Sequence, residues 1–116
     1  MNDNPLFQIL FSAGAIFIFI GMFMQLFPPR EINRTYGYRS KSAMQDFAHW
    51  TFAQTYCSQQ FVFIGMMLAL ISVASIFIYI PQILGIFIGL VLVLLAFWVL
   101  HRRVELAIKK KFMPVE

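Results

Sequence analysis

The stretch PPREINRTYGYRSKSAM, residues 28–44, gathers charge and tyrosine into one short island between long apolar runs. Its reading decides the fold, because it separates segments that are each long and greasy enough to cross a bilayer. On its N-terminal side, Leu6 to Phe27 contain no charged residue and are rich in Phe and Ile. On its C-terminal side, no Asp, Glu, Lys or Arg intervenes between Asp46 and Arg102.

Composition points the same way. Of 116 residues, 60% are hydrophobic and only 12% charged, against about 25% charged in an ordinary globular chain. A soluble domain of this size has too little interior to hide that much apolar surface. The expectation is therefore a single all-α integral membrane domain, residues 1–116, in contact with the lipid bilayer. The formal charge of +4 does not indicate nucleic acid. All nine Lys and Arg fall between Arg30 and Lys41 or between Arg102 and Lys111, which is the distribution of a topology signal and not of a basic reading face. The lone Cys57 excludes a disulfide within the chain.

Three helices follow. The first is expected at about 6–27, where about 1.5 Å of rise per residue gives roughly 33 Å, enough for a hydrocarbon core of about 30 Å. Asp3, or Asn4 followed by Pro5, suits its N-cap. The N-terminus carries an acid and no base, so the segment reads as a retained span and not as a signal peptide. Pro28 and Pro29 end it, and a loop occupies 28–41.

Ser42 with Gln45 three residues later matches a capping box, which starts the second helix at Ser42 and runs it to about residue 80. That helix would reach roughly 58 Å, about twice the hydrocarbon thickness. Its first half is expected to extend into the cytoplasm or lie along the interface. There Phe47, Trp50, Cys57 and Phe61 share one side and Asp46, His49, Tyr56 and Gln60 another. Tyr79 to Gln82 make a tight hairpin, and a third helix spans 82–110 before emerging as a basic tail.

Counting charge orients the three spans. Four Lys and Arg lie in the 28–41 loop and five follow the third span, while the N-terminus and the 81–82 hairpin have none. The positive-inside rule then gives N-terminus out, motif loop in, hairpin out and C-terminus in.

Catalytic chemistry finds no foothold. There is no HExxH, no Cys/His cluster, no phosphate-cradling glycine loop and no triad in a recognisable context. The expectation is a non-enzyme with no metal and no cofactor. His49 and His101 fall near the predicted interface, and no acid or base lies inside a predicted span, which speaks against a proton-coupled carrier. Lys109 to Lys111 suit either stop-transfer charge or anionic lipid. Gly85 and Gly89 on the third helix, with Gly65 and Ala69 on the second, mark close helix approach. Packing of helices two and three within one chain and homodimerisation both fit that spacing.

Within the island, the order N-R-T-Y-G-Y-R goes beyond what topology needs. Gly37 permits a tight turn, Tyr36 and Tyr38 suit the headgroup layer, and Arg34 and Arg39 offer fork-shaped donors. Two readings stay open: the arginines meet an external carboxylate, phosphate or carbonyl, or they pair internally with Glu31 and Asp46.

The same residues carry a resemblance. Pro29, Asn33, Arg34, Tyr36, Gly37, Tyr38, Arg39, Ser42 and Met44, followed by Trp50 on the next helix, resemble the signature of the SdpI family. The resemblance covers about residues 20–80. It implies a multi-pass protein of the bacterial cytoplasmic (inner) membrane, with these residues forming a binding or assembly surface. It further implies immunity or resistance against a membrane-active peptide toxin, with a signalling role through a repressor held at the membrane. The family's founding member is longer, with further helices ahead of this module, so the chain is expected to correspond to the C-terminal module alone. The alternative reading is a small accessory subunit docking laterally onto a larger membrane protein complex.

Overall fold

A computed structural model describes residues 4–112 as three long helices, α1 (Pro5–Leu26), α2 (Phe47–Ser75) and α3 (Gln82–Lys111). All three are long and apolar enough to span a membrane. They make an elongated bundle of 55 × 32 × 20 Å. Large apolar side chains such as Phe19, Leu94 and Trp98 stand exposed on its outside, where hydrocarbon is the solvent that suits them.

Asn4 caps α1 with its side-chain oxygen on the Phe7 N–H at 3.1 Å, and Pro5 takes the first helical position, where no N–H is needed. Asp3 lies outside the described residues. At the far end the backbone turns out at Phe27, before the two prolines.

The second helix differs from expectation at both ends. It starts at Phe47, not Ser42, because the Asp46 carboxylate and not a serine supplies the cap, accepting from the His49 N–H at 2.8 Å. Ser42 falls instead in a short turn, closed by the Ala43 N–H on Ser40 Oγ and the Met44 N–H on the Ser40 carbonyl. Ala43, fully buried, anchors that turn. At its other end α2 stops at Ser75 and not near residue 80. Residues 76–78 tighten into bonds reaching back three residues, ahead of Pro81, which disfavours helix in the residue before it.

The expected faces of α2 also need correction. Phe47 is exposed and Gln60 is buried, the reverse of what the periodicity implies. The inward stripe in fact runs Trp50, Ala53, Gln54, Cys57, Ser58, Gln60 and Ile64. Periodicity identifies the helix but mis-sets its rotation by part of a turn, since polar residues sit inside.

Helices α1 and α2 run antiparallel, and α1 and α3 parallel. Gly14 of α1 meets Gly65 of α2, and Gly21 meets Ser58 and Val62. A methyl group on Gly14 would fall 2.7 Å from the Gly65 carbonyl oxygen, so the backbones are in direct contact there. Ala69 lies in the same seam, its backbone nitrogen 3.1 Å from where that methyl group would sit. Gly85 and Gly89 of α3 face Leu6 and Ile9 of α1. The small residues of α2 and α3 therefore both receive α1, and do not pack on each other as the hairpin connection suggested. Phe17, 2% exposed, ties the three together, with its ring 5.2 Å from Phe61 and 4.8 Å from Phe97. Such aromatic pairs add about 0.5–1.5 kcal/mol each beyond the area they bury.

Candidate functional site

The loop between α1 and α2 is an ordered cap across one end of the bundle. Its construction begins at Asn33. The Asn33 Oδ1 accepts from the backbone N–H groups of Thr35 and Tyr36, at 3.0 and 2.8 Å, while Nδ2 donates to the Glu31 carbonyl. Asparagine suits this because its side chain can imitate a backbone turn. The turn aims Tyr36 back at α1, where its hydroxyl donates to the Phe27 carbonyl at 2.6 Å and its ring meets Phe23 edge-on. One orphan carbonyl at the end of α1 is satisfied in this way.

Gly37 follows with φ of +102°, a conformation that side chains rarely adopt. A methyl group there would also meet Gln54 Oε1 and Pro29 Cγ, each at 2.7 Å. Pro29 is itself pinned, because Trp50 Nε1 donates to its carbonyl at 2.5 Å from a fully buried indole. The proline, the glycine and the tryptophan thus form one packed unit.

Tyr38 is held twice. Gln54, 3% exposed on α2, grips its main chain: Oε1 accepts from the Tyr38 N–H and Nε2 donates to the Tyr38 carbonyl, both at 2.7 Å. Its side chain reaches α3, where the hydroxyl donates to Glu105 Oε2 at 2.5 Å. His101 Nδ1 lies 3.0 Å from the same hydroxyl oxygen. Burial, reinforced by the Glu105 carboxylate, pushes the Tyr38 phenol well above its ordinary range.

The arginines behave differently from both internal pairings considered for them. Asp46 faces His49, with Nδ1 and Oδ1 2.7 Å apart. Arg39 donates to the Arg34 carbonyl, and among the described residues no carboxylate lies within 4.0 Å of either guanidinium. Arg34 and Arg39 are both exposed. Ser42 and Glu105 share the lining of a cavity of about 580 Å³ with His49, Arg102 and Lys109. Met44 is half-buried at the end of the short turn.

The loop residues singled out from the sequence therefore come together on one cap, while Gly65, Ala69, Gly85 and Gly89 lie apart from it along α1. Sequence reasoning missed Gln54 and Glu105. Gln54 stands four residues after Trp50 on its inward stripe, and a polar residue on such a stripe was the available signal. Glu105 is the acid among the bases of the α3 tail. His101, read as part of the basic cluster, also contributes to the cap. No group of three or more His, Cys, Asp or Glu that could hold a metal occurs among the described residues.

Three apolar helices closed at one end by a tyrosine-rich cap define a multi-pass helical membrane protein. The chain matches the SdpI/YfhL protein family over residues 30–101, more than half its length and including the loop from Arg30 onward, and it belongs to that family. It is 35% identical over 57 residues to the Bacillus subtilis (strain 168) protein named "Uncharacterized protein YfhL". That alignment covers 49% of this chain and 52% of the relative, so the match spans about half of the relative's length. No solved structure matches the chain.

Proposed function

We propose that this protein is an immunity or resistance factor of the bacterial cytoplasmic membrane, acting against a membrane-active peptide. The observation that carries the reading is the cap itself: Tyr36, Tyr38 and Trp50, among the residues that resemble the SdpI signature, tie the loop to the ends of all three helices. Immunity enters through that resemblance. The cap gathers both basic clusters at one end, since Tyr38 of the loop meets His101 and Glu105 beside the α3 tail. The opposite end, with Asn4 near Ser75 and the 76–81 turn, has no Lys or Arg. This supports a cap facing the cytoplasm and an outward hairpin.

In that orientation a peptide arriving from outside meets the hairpin and the lipid-facing helices first. The cap is then the surface for cytoplasmic partners, in keeping with a signalling role. Deleting the gene and challenging cells with secreted membrane-active peptides tests the proposal. Sensitisation to one peptide, reversed by the intact gene and not by a cap variant, is the expected result. Unchanged survival across the panel would sink it. Fusing a reporter to the C-terminus checks the orientation separately: a cytoplasmic fluorescent protein should light up and a periplasmic phosphatase should stay inactive.

A second reading, an accessory subunit, is favoured by the exposed outer face of α3, where Ile83 is 83% and Leu94 69% exposed. Lipid covers such a face equally well. Purification in mild detergent at native expression separates the two, because a stoichiometric partner supports the subunit and a lone chain does not.

A further inference from the structure

Beneath the cap is a cavity of about 500 Å³, walled by all three helices and roofed by the loop. Its walls are hydrocarbon and aromatic: Phe19 and Ile20 from α1, Phe61 from α2 and Leu100 from α3. Its polar character is concentrated at the roof, in Tyr38 and Arg39. Phe19 is 68% exposed, so that wall borders the surface that α1 turns toward the bilayer. The volume falls in the range of small-molecule sites, about 300–1,000 Å³.

We propose that this cavity binds an anionic glycerophospholipid from the surrounding bilayer, with its headgroup at Arg39 and part of one acyl chain along Phe19 and Phe61. Three observations converge on that occupant. The cavity borders the lipid-facing surface, where phospholipid is the abundant amphiphile. Its lining changes from apolar to cationic in one direction, as an amphiphile requires. Residues 19–24 of α1 cover about 8 Å along the axis, roughly half the depth of one hydrocarbon leaflet. The site therefore takes the upper part of a chain and leaves the rest in the bilayer.

The charge at the mouth selects the headgroup. Arg39 has no carboxylate within 4.0 Å among the described residues, and its guanidinium suits a phosphate with paired donors. Arg34 is adjoining, its carbonyl accepting from Arg39. A zwitterionic headgroup would bring a cation against Arg39, whereas phosphatidylglycerol would not. The inference stands whichever way the protein faces, and independently of immunity.

Native mass spectrometry of the full chain in mild detergent tests it, with titration by dioleoyl phosphatidylglycerol or dioleoyl phosphatidylcholine. One phosphatidylglycerol should bind about five- to tenfold more tightly than phosphatidylcholine, the scale of one basic residue near a membrane surface. R39Q should abolish that preference, and R39K should keep most of it. I20W, which fills the cavity, should weaken both lipids, with circular dichroism confirming that it stays helical. Equal binding of the two lipids would overturn the proposal, as would an R39Q protein with the preference intact. A peptide co-purifying with the wild type and displaced by neither lipid would overturn it too, by assigning the cavity to another class of ligand.

Discussion

Gln54 holds the main chain of Tyr38 through both of its amide atoms, each bond 2.7 Å long. The glutamine is almost wholly buried on α2, and Tyr38 belongs to the loop. A polar side chain in that position is stable only because both of its ends are satisfied. Replacing Gln54 with alanine leaves the Tyr38 N–H and carbonyl without these partners, at a cost of about 1–3 kcal/mol for each group that stays buried. Gln54→Ala should therefore melt well below the wild type in detergent. Gln54→Glu should also be impaired, since a carboxylate can accept from the N–H but repels the carbonyl. Thermal unfolding followed by circular dichroism distinguishes these outcomes from a loop that contributes nothing.

Gly37 should accept no side chain. Its φ of +102° and the 2.7 Å approach of Gln54 Oε1 and Pro29 to any methyl group placed there act together. Strained backbone of this kind costs about 1–3 kcal/mol before any clash is counted. Gly37→Ala should loosen the cap while leaving the helices formed. Limited proteolysis reads this directly: cleavage after Arg34 or Arg39 should speed up in the variant with helix content unchanged.

The Tyr38 phenol provides a pH signature. Burial together with the Glu105 carboxylate raises its pKa, so its docking contribution is fully present below the unfolded tyrosine value of about 10. That contribution is lost as pH rises through the folded value. Burial raises the Tyr36 phenol too, so ultraviolet titration should show late ionisation that persists until the fold opens, and Tyr38→Phe should remove its last step. The titratable groups in hydrogen-bonding reach of the Tyr38 hydroxyl are Glu105 and His101 of α3. At the acid end the sign reverses. The His49 backbone N–H, with its ring, holds the Asp46 carboxyl below its usual value. The α2 cap is therefore intact above about pH 4 and weakens as pH falls through the lowered pKa.

Much of this architecture was legible in the chain. Apolar run lengths gave three spans, Asn4 before Pro5 marked the start of α1, and the Tyr-Gly-Tyr-Arg order marked the loop as more than a charged connector. The second helix was less legible. Ser42 and Asp46 both make sound caps by composition, and only the burial of Ala43 in a separate turn decides between them. Its faces were harder still, because an inward stripe that includes Gln54, Ser58 and Gln60 does not look apolar. The Tyr38–Glu105 contact joins residues 67 apart in sequence, a pairing that no local pattern encodes. The same holds for the glycines, whose spacing announces close approach without naming the partner helix.

The glycine seams give opposite expectations for one substitution. A methyl group at Gly14 falls 2.7 Å from the backbone oxygen of Gly65, whereas at Gly85 the nearest atoms are 3.5 Å away. Gly14→Ala must push α1 from α2, and overpacking of this sort costs about 1–3 kcal/mol. Gly85→Ala meets only ordinary contacts and should be neutral, or stabilising by up to about 1 kcal/mol from helix propensity. Melting temperatures of the two variants in the same detergent should move in different directions or by very different amounts. Equal losses would show that the α3 seam is as tight as the α1–α2 seam.

The double hold on Tyr38 has a mechanical meaning. Its main chain is clasped by one helix and its hydroxyl by another, so the residue works as a caliper set to a single distance. Sliding α3 against α2 by one helical turn, about 5.4 Å, is more than either jaw can follow. One hold must then release, and the tyrosine swings free of the other helix. The end of the bundle thus has one engaged setting, in which the register of α2 against α3 is fixed by a loop residue that belongs to neither.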